Sequence, residues 1–122
     1  MKLLYISLLT CSLFATERPP LPQDLRLWKA SVISLASTSI IDWHSSRGLY
    51  ELNPLLSGSN GRFDAAKTVQ LKAVLIGSAA GIQWLVLKTT KGKGRRAMTK
   101  MNFTIAGLHA GVAIRNYKLA IK

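Results

Sequence analysis

Three apolar stretches, each uncharged through its centre and bordered by lysine or arginine, constrain this chain more than any other feature. They are Ala30 to Ile41, Ala73 to Leu87, and a third from about Met98 to Ile114 whose cations lie only at its ends. A helix crossing a bilayer needs about 20 predominantly apolar residues, because the hydrocarbon layer is about 30 Å thick. All three centres are shorter than that. Each works as a span only if Arg26, Lys29, Lys67, Lys72 and Lys100 lay their aliphatic stems along the helix and carry their charges to an interface. A soluble protein built from very apolar helices is the competing reading.

The charge balance fits the membrane reading. Hydrophobic residues make up 48% of 122 and charged residues only 18%, yet 17 Lys and Arg against 5 Asp and Glu leave a formal charge of +12. Such an excess can serve nucleic-acid binding by neutralising phosphates. Here, however, the cations gather between Lys88 and Arg96 and at the borders of apolar runs, as they do where membrane helices meet headgroups. No nucleic-acid partner is expected. Trp28 and Trp43 flank the first stretch as interfacial aromatics do.

The chain divides as residues 1–15, a signal peptide or short N-terminal anchor; 16–24, an extended linker; 25–118, a three-helix membrane domain; and 119–122, a tail. Met1-Lys2 followed by uncharged Leu3 to Ala15 matches a short charged region and an apolar core of secretory length. Leu13 is large for a cleavage site after Ala15, so an uncleaved anchor stays open. Cys11, the single cysteine, forms no disulfide framework, and the Thr before it fits a lipoprotein site poorly. Helices are expected over about Leu25 to Trp43, capped near Gln23 and Asp24, over about Ala65 to Lys88, and over about Met98 to Ile114. Asn53-Pro54 and Ser57 to Gly61 make the first connection a loop. The expected fold class is all-α, a small membrane bundle of three short transmembrane helices in the bacterial inner membrane. The basic Lys88 to Lys100 loop argues for a cytoplasmic position. A cleaved signal followed by three spans argues the reverse, so orientation stays open.

Helical projection adds detail. Ser31, Ser34, Thr38 and Asp42 fall on one stripe of the first helix, which should face protein. In the second, Gly77 and Gly81 form a small-xxx-small pair that lets helix backbones approach closely, with Gln70 and Trp84 on the same side. In the third, Asn102, His109 and Asn116 recur every seven residues, with Gly107 and Gly111 roughly opposite. Gly77, Gly81, Gly107 and Gly111 are thus the expected packing positions. The glycine spacing does not separate packing within the chain from packing between chains.

The segment from Asp42 to Pro54 concentrates polar chemistry: Asp42, His44, Arg47, Glu51 and Asn53 lie just beyond the first span. An ionisable group at such a place needs a cation, a backbone donor or water, and marks a candidate site. A structural account suffices as well, with Arg47 pairing with Asp42 or Glu51, Asn53 closing a turn, and Pro54 fixing the reversal. An Asp ending one helix, then Gly48, then Glu51-x-Asn53-Pro54, resembles an uncharacterised family of small bacterial multi-spanning membrane proteins known only as a domain of unknown function. The resemblance extends over roughly Leu27 to Tyr117. It implies membrane placement and points to this segment without naming a reaction.

Two roles are weighed on this basis. One is structural or interactive, with glycine faces assembling helices into homo-oligomers or onto partner membrane helices within the lipid bilayer. The other is a membrane-embedded enzyme or metal site in which Asp42, His44, Glu51 and His109 converge. No second ligand lies at metal-binding spacing from His109. No cofactor is expected, and the structural role is favoured.

Overall fold

The computed structural model describes residues 19 to 121, so the expected signal or anchor and the first part of the linker lie outside them. Three helices carry the described chain: α1 (Pro22–Ser45), α2 (Ala65–Thr89) and α3 (Arg95–Ala120). The bundle is all-helical, and the described residues form only two isolated bridges, Tyr50 with Arg62 and Ser57 with Phe63, in place of any strand. α2 runs opposite to α1 and α3. The Trp28 indole at the start of α1 meets Gln83 late in α2, and Ser45 at the end of α1 meets Asn116 late in α3. α1 packs most extensively against α3 and touches α2 more lightly.

α1 begins earlier than expected. Pro22 occupies its first turn, where a missing N–H costs nothing and the fixed φ favours the helix. Asp24 follows and accepts the Leu21 N–H at 2.8 Å. The linker therefore ends at Leu21. α3 likewise starts at Arg95 and continues to Ala120, past the expected limits of Met98 and Ile114. Its N-cap is Gly94 at φ 87, a left-handed conformation that suits a residue without Cβ. α2 matches its expected range to within a residue.

Burial is inverted relative to an ordinary soluble core. The largest fully buried side chains are Asn102, Thr68, Ser31 and Ser39, while Ile33, Ile40, Ile82 and Leu108 are each more than 60% exposed. The α1/α3 seam is made of small and polar residues: Ser31, Leu35, Ser39 and Ser45 on one side, Thr99, Asn102, Ala106 and Ala113 on the other. Small side chains let the two backbones approach closely. The buried stripe of α1 passes through Leu35 and Ser39. Ser34 and Thr38, expected on it, are only half-buried, and the Thr38 hydroxyl returns to the Ser34 carbonyl at 2.8 Å.

Only α2 is long and apolar enough to cross a membrane by its own length and composition, and nearly all of that stretch is exposed. The expectation of three such helices is met by one. Asp24, Arg26, Lys29 and Asp42 lower the apolarity of α1, and Arg95, Arg96, Lys100, Asn102 and His109 lower that of α3.

Candidate functional site

The polar residues of the seam form two linked layers. In the first, Asn102 of α3 ties all three helices together. Its Nδ2 donates to Ser31 Oγ at 3.1 Å and to Gln83 Oε1 at 3.0 Å, and its Oδ1 accepts from Gln83 Nε2 at 2.9 Å. Gln83 Oε1 also accepts from the Trp28 indole at 2.9 Å, and the Ser31 hydroxyl donates to the Trp28 carbonyl at 2.7 Å. A buried amide pair satisfied in this way fixes register, because sliding any helix by one residue would strand several donors. Gln83 went unnoticed in the sequence, where it sits among apolar neighbours without a repeat to mark it.

The second layer lies nearer the opposite end. Lys72 of α2 forms an ion pair and hydrogen bond with Asp42 of α1, both largely buried, and its ammonium also reaches the Ser39 carbonyl. Lys72 therefore lines the interior. His109 of α3 stands within electrostatic reach of both charges, and its Nδ1 is buried without a hydrogen-bond partner among the described residues. The Ser39 hydroxyl is buried and unpartnered too. Below this layer, Asn116 Nδ2 donates to Ser46 Oγ at 3.0 Å and Ser45 Oγ at 3.3 Å. The heptad of Asn102, His109 and Asn116 thus lies along the inward side of α3, as its spacing predicts.

Residues 46 to 64 fold over this end as a cap. Gly48 at φ 81 turns the chain out of α1. Backbone bonds from Glu51 N to Gly61 O and from Phe63 N to Leu49 O then hold the segment as a short hairpin. Within it, Glu51 Oε1 accepts the Asn53 N–H at 2.8 Å and Asn53 Oδ1 accepts the Leu55 N–H at 3.0 Å, so Asn53 closes a turn as expected. The Trp43 indole donates to the Ala65 carbonyl at 2.8 Å and fastens the far side of the cap. Asp42, Ser46, Glu51, Lys72 and Asn116 line a cleft of about 300 Å³ beneath the cap, with Leu49, Leu56, Phe63 and Val112 as its apolar walls.

Several expected site residues do not join this cleft. His44 turns outward to the Tyr117 hydroxyl, with Nδ1 to oxygen at 2.8 Å. Arg47 pairs with neither Asp42 nor Glu51; its guanidinium lies over the Trp43 ring, 5.5 Å from the centroid. Among the described residues no three of His, Cys, Asp or Glu come close enough together to hold a metal ion. The constellation of Asp42, His44, Glu51 and His109 therefore fails to assemble, chiefly because His44 lies on the opposite side of α1's last turn.

The glycines are equally informative. A Cβ built on Gly77, Gly81, Gly107 or Gly111 meets nothing within 4 Å. None of them mediates packing among the described helices, and Gln70 and Trp84 beside the α2 pair are exposed as well. The inward face of α2 instead carries Thr68, Gln83 and Leu87. No family model, curated protein or solved structure matches the chain.

Proposed function

We propose that this chain is a small integral membrane protein whose role is structural, assembling with other membrane helices through the outward glycine faces of α2 and α3. Inverted burial supports the reading above all. Asn102, Ser31, Thr68 and Ser39 are sealed inside while large aliphatic side chains coat the outside. In water that distribution leaves apolar area hydrated at about 25 cal/mol per Å². In lipid it is the favoured one, since hydrocarbon solvates the exterior and helices associate through small residues and hydrogen bonds. The two helices with more polar composition cross by presenting those groups to each other and to α2. The resemblance carried by Asp42, Gly48, Glu51, Asn53 and Pro54 adds support, since each has a place in the cap or the ion pair beneath it.

Because Gly77, Gly81, Gly107 and Gly111 meet open space, any close helix approach they serve involves another chain. Alkaline carbonate extraction of membranes tests placement: the chain should stay in the pellet, and release into the supernatant would overturn the membrane reading. Crosslinking in membranes tests assembly. Gly77→Leu together with Gly81→Leu should abolish crosslinked species while leaving the thermal stability of the monomer in detergent unchanged. Undiminished crosslinking would remove the α2 face from the assembly.

A further inference from the structure

We infer that the cleft between the N-terminal ends of α1 and α3 is a binding site for a phosphate group, carried by an anionic membrane lipid. The cleft, about 360 Å³, is lined by Gln23, Asp24, Leu27, Arg96, Thr99 and Lys100. It lies at the end of the bundle away from the cap.

Four observations converge on it. α3 opens with its positive dipole end at this cleft, and its first turn contains no acidic residue to answer that end. Cations take the place instead. Arg95 and Arg96 open a helix whose dipole repels them, an arrangement that an anion would relieve. Thr99, one turn further on, is only 9% exposed and lines the cleft, and its hydroxyl has no hydrogen-bond partner among the described residues. A buried hydroxyl in a helix ordinarily donates to a carbonyl of the preceding turn, as Thr104 does to Lys100 at 2.9 Å. Thr99 stands instead as an unused donor facing the cleft.

The charge balance sets the ligand class. Arg96 and Lys100 bring two positive charges. Asp24 brings one negative charge, which is already engaged: its Oδ2 accepts the Leu21 N–H, and its Oδ1 lies 3.6 Å from Arg96 Nε. The excess of one positive charge matches a singly charged phosphodiester better than a doubly charged phosphate. Arg96 is about half exposed, so its guanidinium is free to turn a second edge to a ligand. Leu27, 52% exposed on the cleft wall, begins the apolar exterior and gives the acyl part of a lipid a surface beside the headgroup. The choice of lipid as carrier rests on the membrane reading above; the phosphate chemistry does not.

The test uses the full chain purified in an uncharged detergent. Thermal unfolding is followed while phosphatidylglycerol, phosphatidylcholine or inorganic phosphate is titrated in separate arms. Phosphatidylglycerol should raise the unfolding midpoint, with phosphatidylcholine giving little change. Lys100→Gln and Arg96→Gln should each weaken the apparent affinity about tenfold, the size expected for losing one charged hydrogen bond. Thr99→Val, which keeps the side-chain shape and needs no rearrangement, should weaken it by a smaller but measurable factor. Arg115→Gln, at the other end of α3, should leave it unchanged. Equal weakening by Arg115→Gln and Lys100→Gln would mean general attraction to a basic protein and would overturn the site. Protection by inorganic phosphate as strong as by phosphatidylglycerol would overturn the lipid as carrier. Since binding is read in detergent, release of the chain by carbonate would sink the membrane reading without deciding this result.

Discussion

At the scale of single residues, the Lys72 and Asp42 pair carries the largest energetic consequence. Two largely buried charges attract strongly, but bringing them out of water consumes most of that gain, so the pair adds little net stability. Removing one partner is different, because it strands the other. Lys72→Met should therefore cost about 2 to 3 kcal/mol, reduced from the fully buried range by the residual exposure of both groups. Adding Asp42→Leu to that variant should recover most of the loss, and chemical denaturation in detergent would measure both. If Lys72→Met unfolds no more easily than the parent, the carboxylate is satisfied by other means. Asp42 was legible in the sequence as an acid at the end of an apolar helix. Its partner was not: 30 residues separate the two, and nothing local says which way a lysine near a helix entry will turn. Snorkelling and pairing look the same until the helices are placed.

The elements tell a similar story in a different register. The seven-residue recurrence of Asn102, His109 and Asn116 fixed the inward face of α3, because polar residues in an otherwise apolar helix must face protein. The same logic misplaced the stripe of α1 by a fraction of a turn. Ser31, Ser34, Thr38 and Asp42 suit a straight 3.6-residue helix, whereas the buried line runs Ser31, Leu35, Ser39 and Ser45. Hydroxyls can return to their own backbone, as Thr38 does, and so tolerate either side. Amides cannot, which is why Asn102 is the better guide. Asn102→Ala should strand Gln83 and loosen the hold of α2 on the α1/α3 pair. The expected cost is about 1 to 2 kcal/mol, the upper range for hydrogen bonds between membrane helices. Disulfide trapping between cysteines placed on α1 and α2 should become less efficient in that variant while trapping between α1 and α3 persists. Equal loss at both seams would mean that Asn102 supports the whole bundle.

For the whole molecule, the antiparallel placement of α2 collects charge in a way that sharpens the question of orientation. Arg26 and Lys29 at the start of α1 join Lys88, Lys91, Lys93, Arg95, Arg96 and Lys100 at one end, while Arg47, Arg62, Lys67, Arg115 and Lys118 occupy the other. Lys72 counts for neither, being spent on Asp42 inside. Each cation near an anionic leaflet contributes about 1 kcal/mol, so the imbalance favours the α2–α3 connection in the cytoplasm and the cap outside. A cleaved signal would deliver the start of α1, and with it this basic end, to the outside, against that bias. The two expectations meet in one measurement. In a Cys11→Ser background, Lys93→Cys should resist a membrane-impermeant thiol reagent in intact cells, and Ser59→Cys on the cap should react. The reverse pattern would place the basic end outside and show that an N-terminal signal overrides the charge bias. The expected pattern would require residues 1–15 to remain attached or to lack export function, because the start of α1 would then begin on the cytoplasmic side.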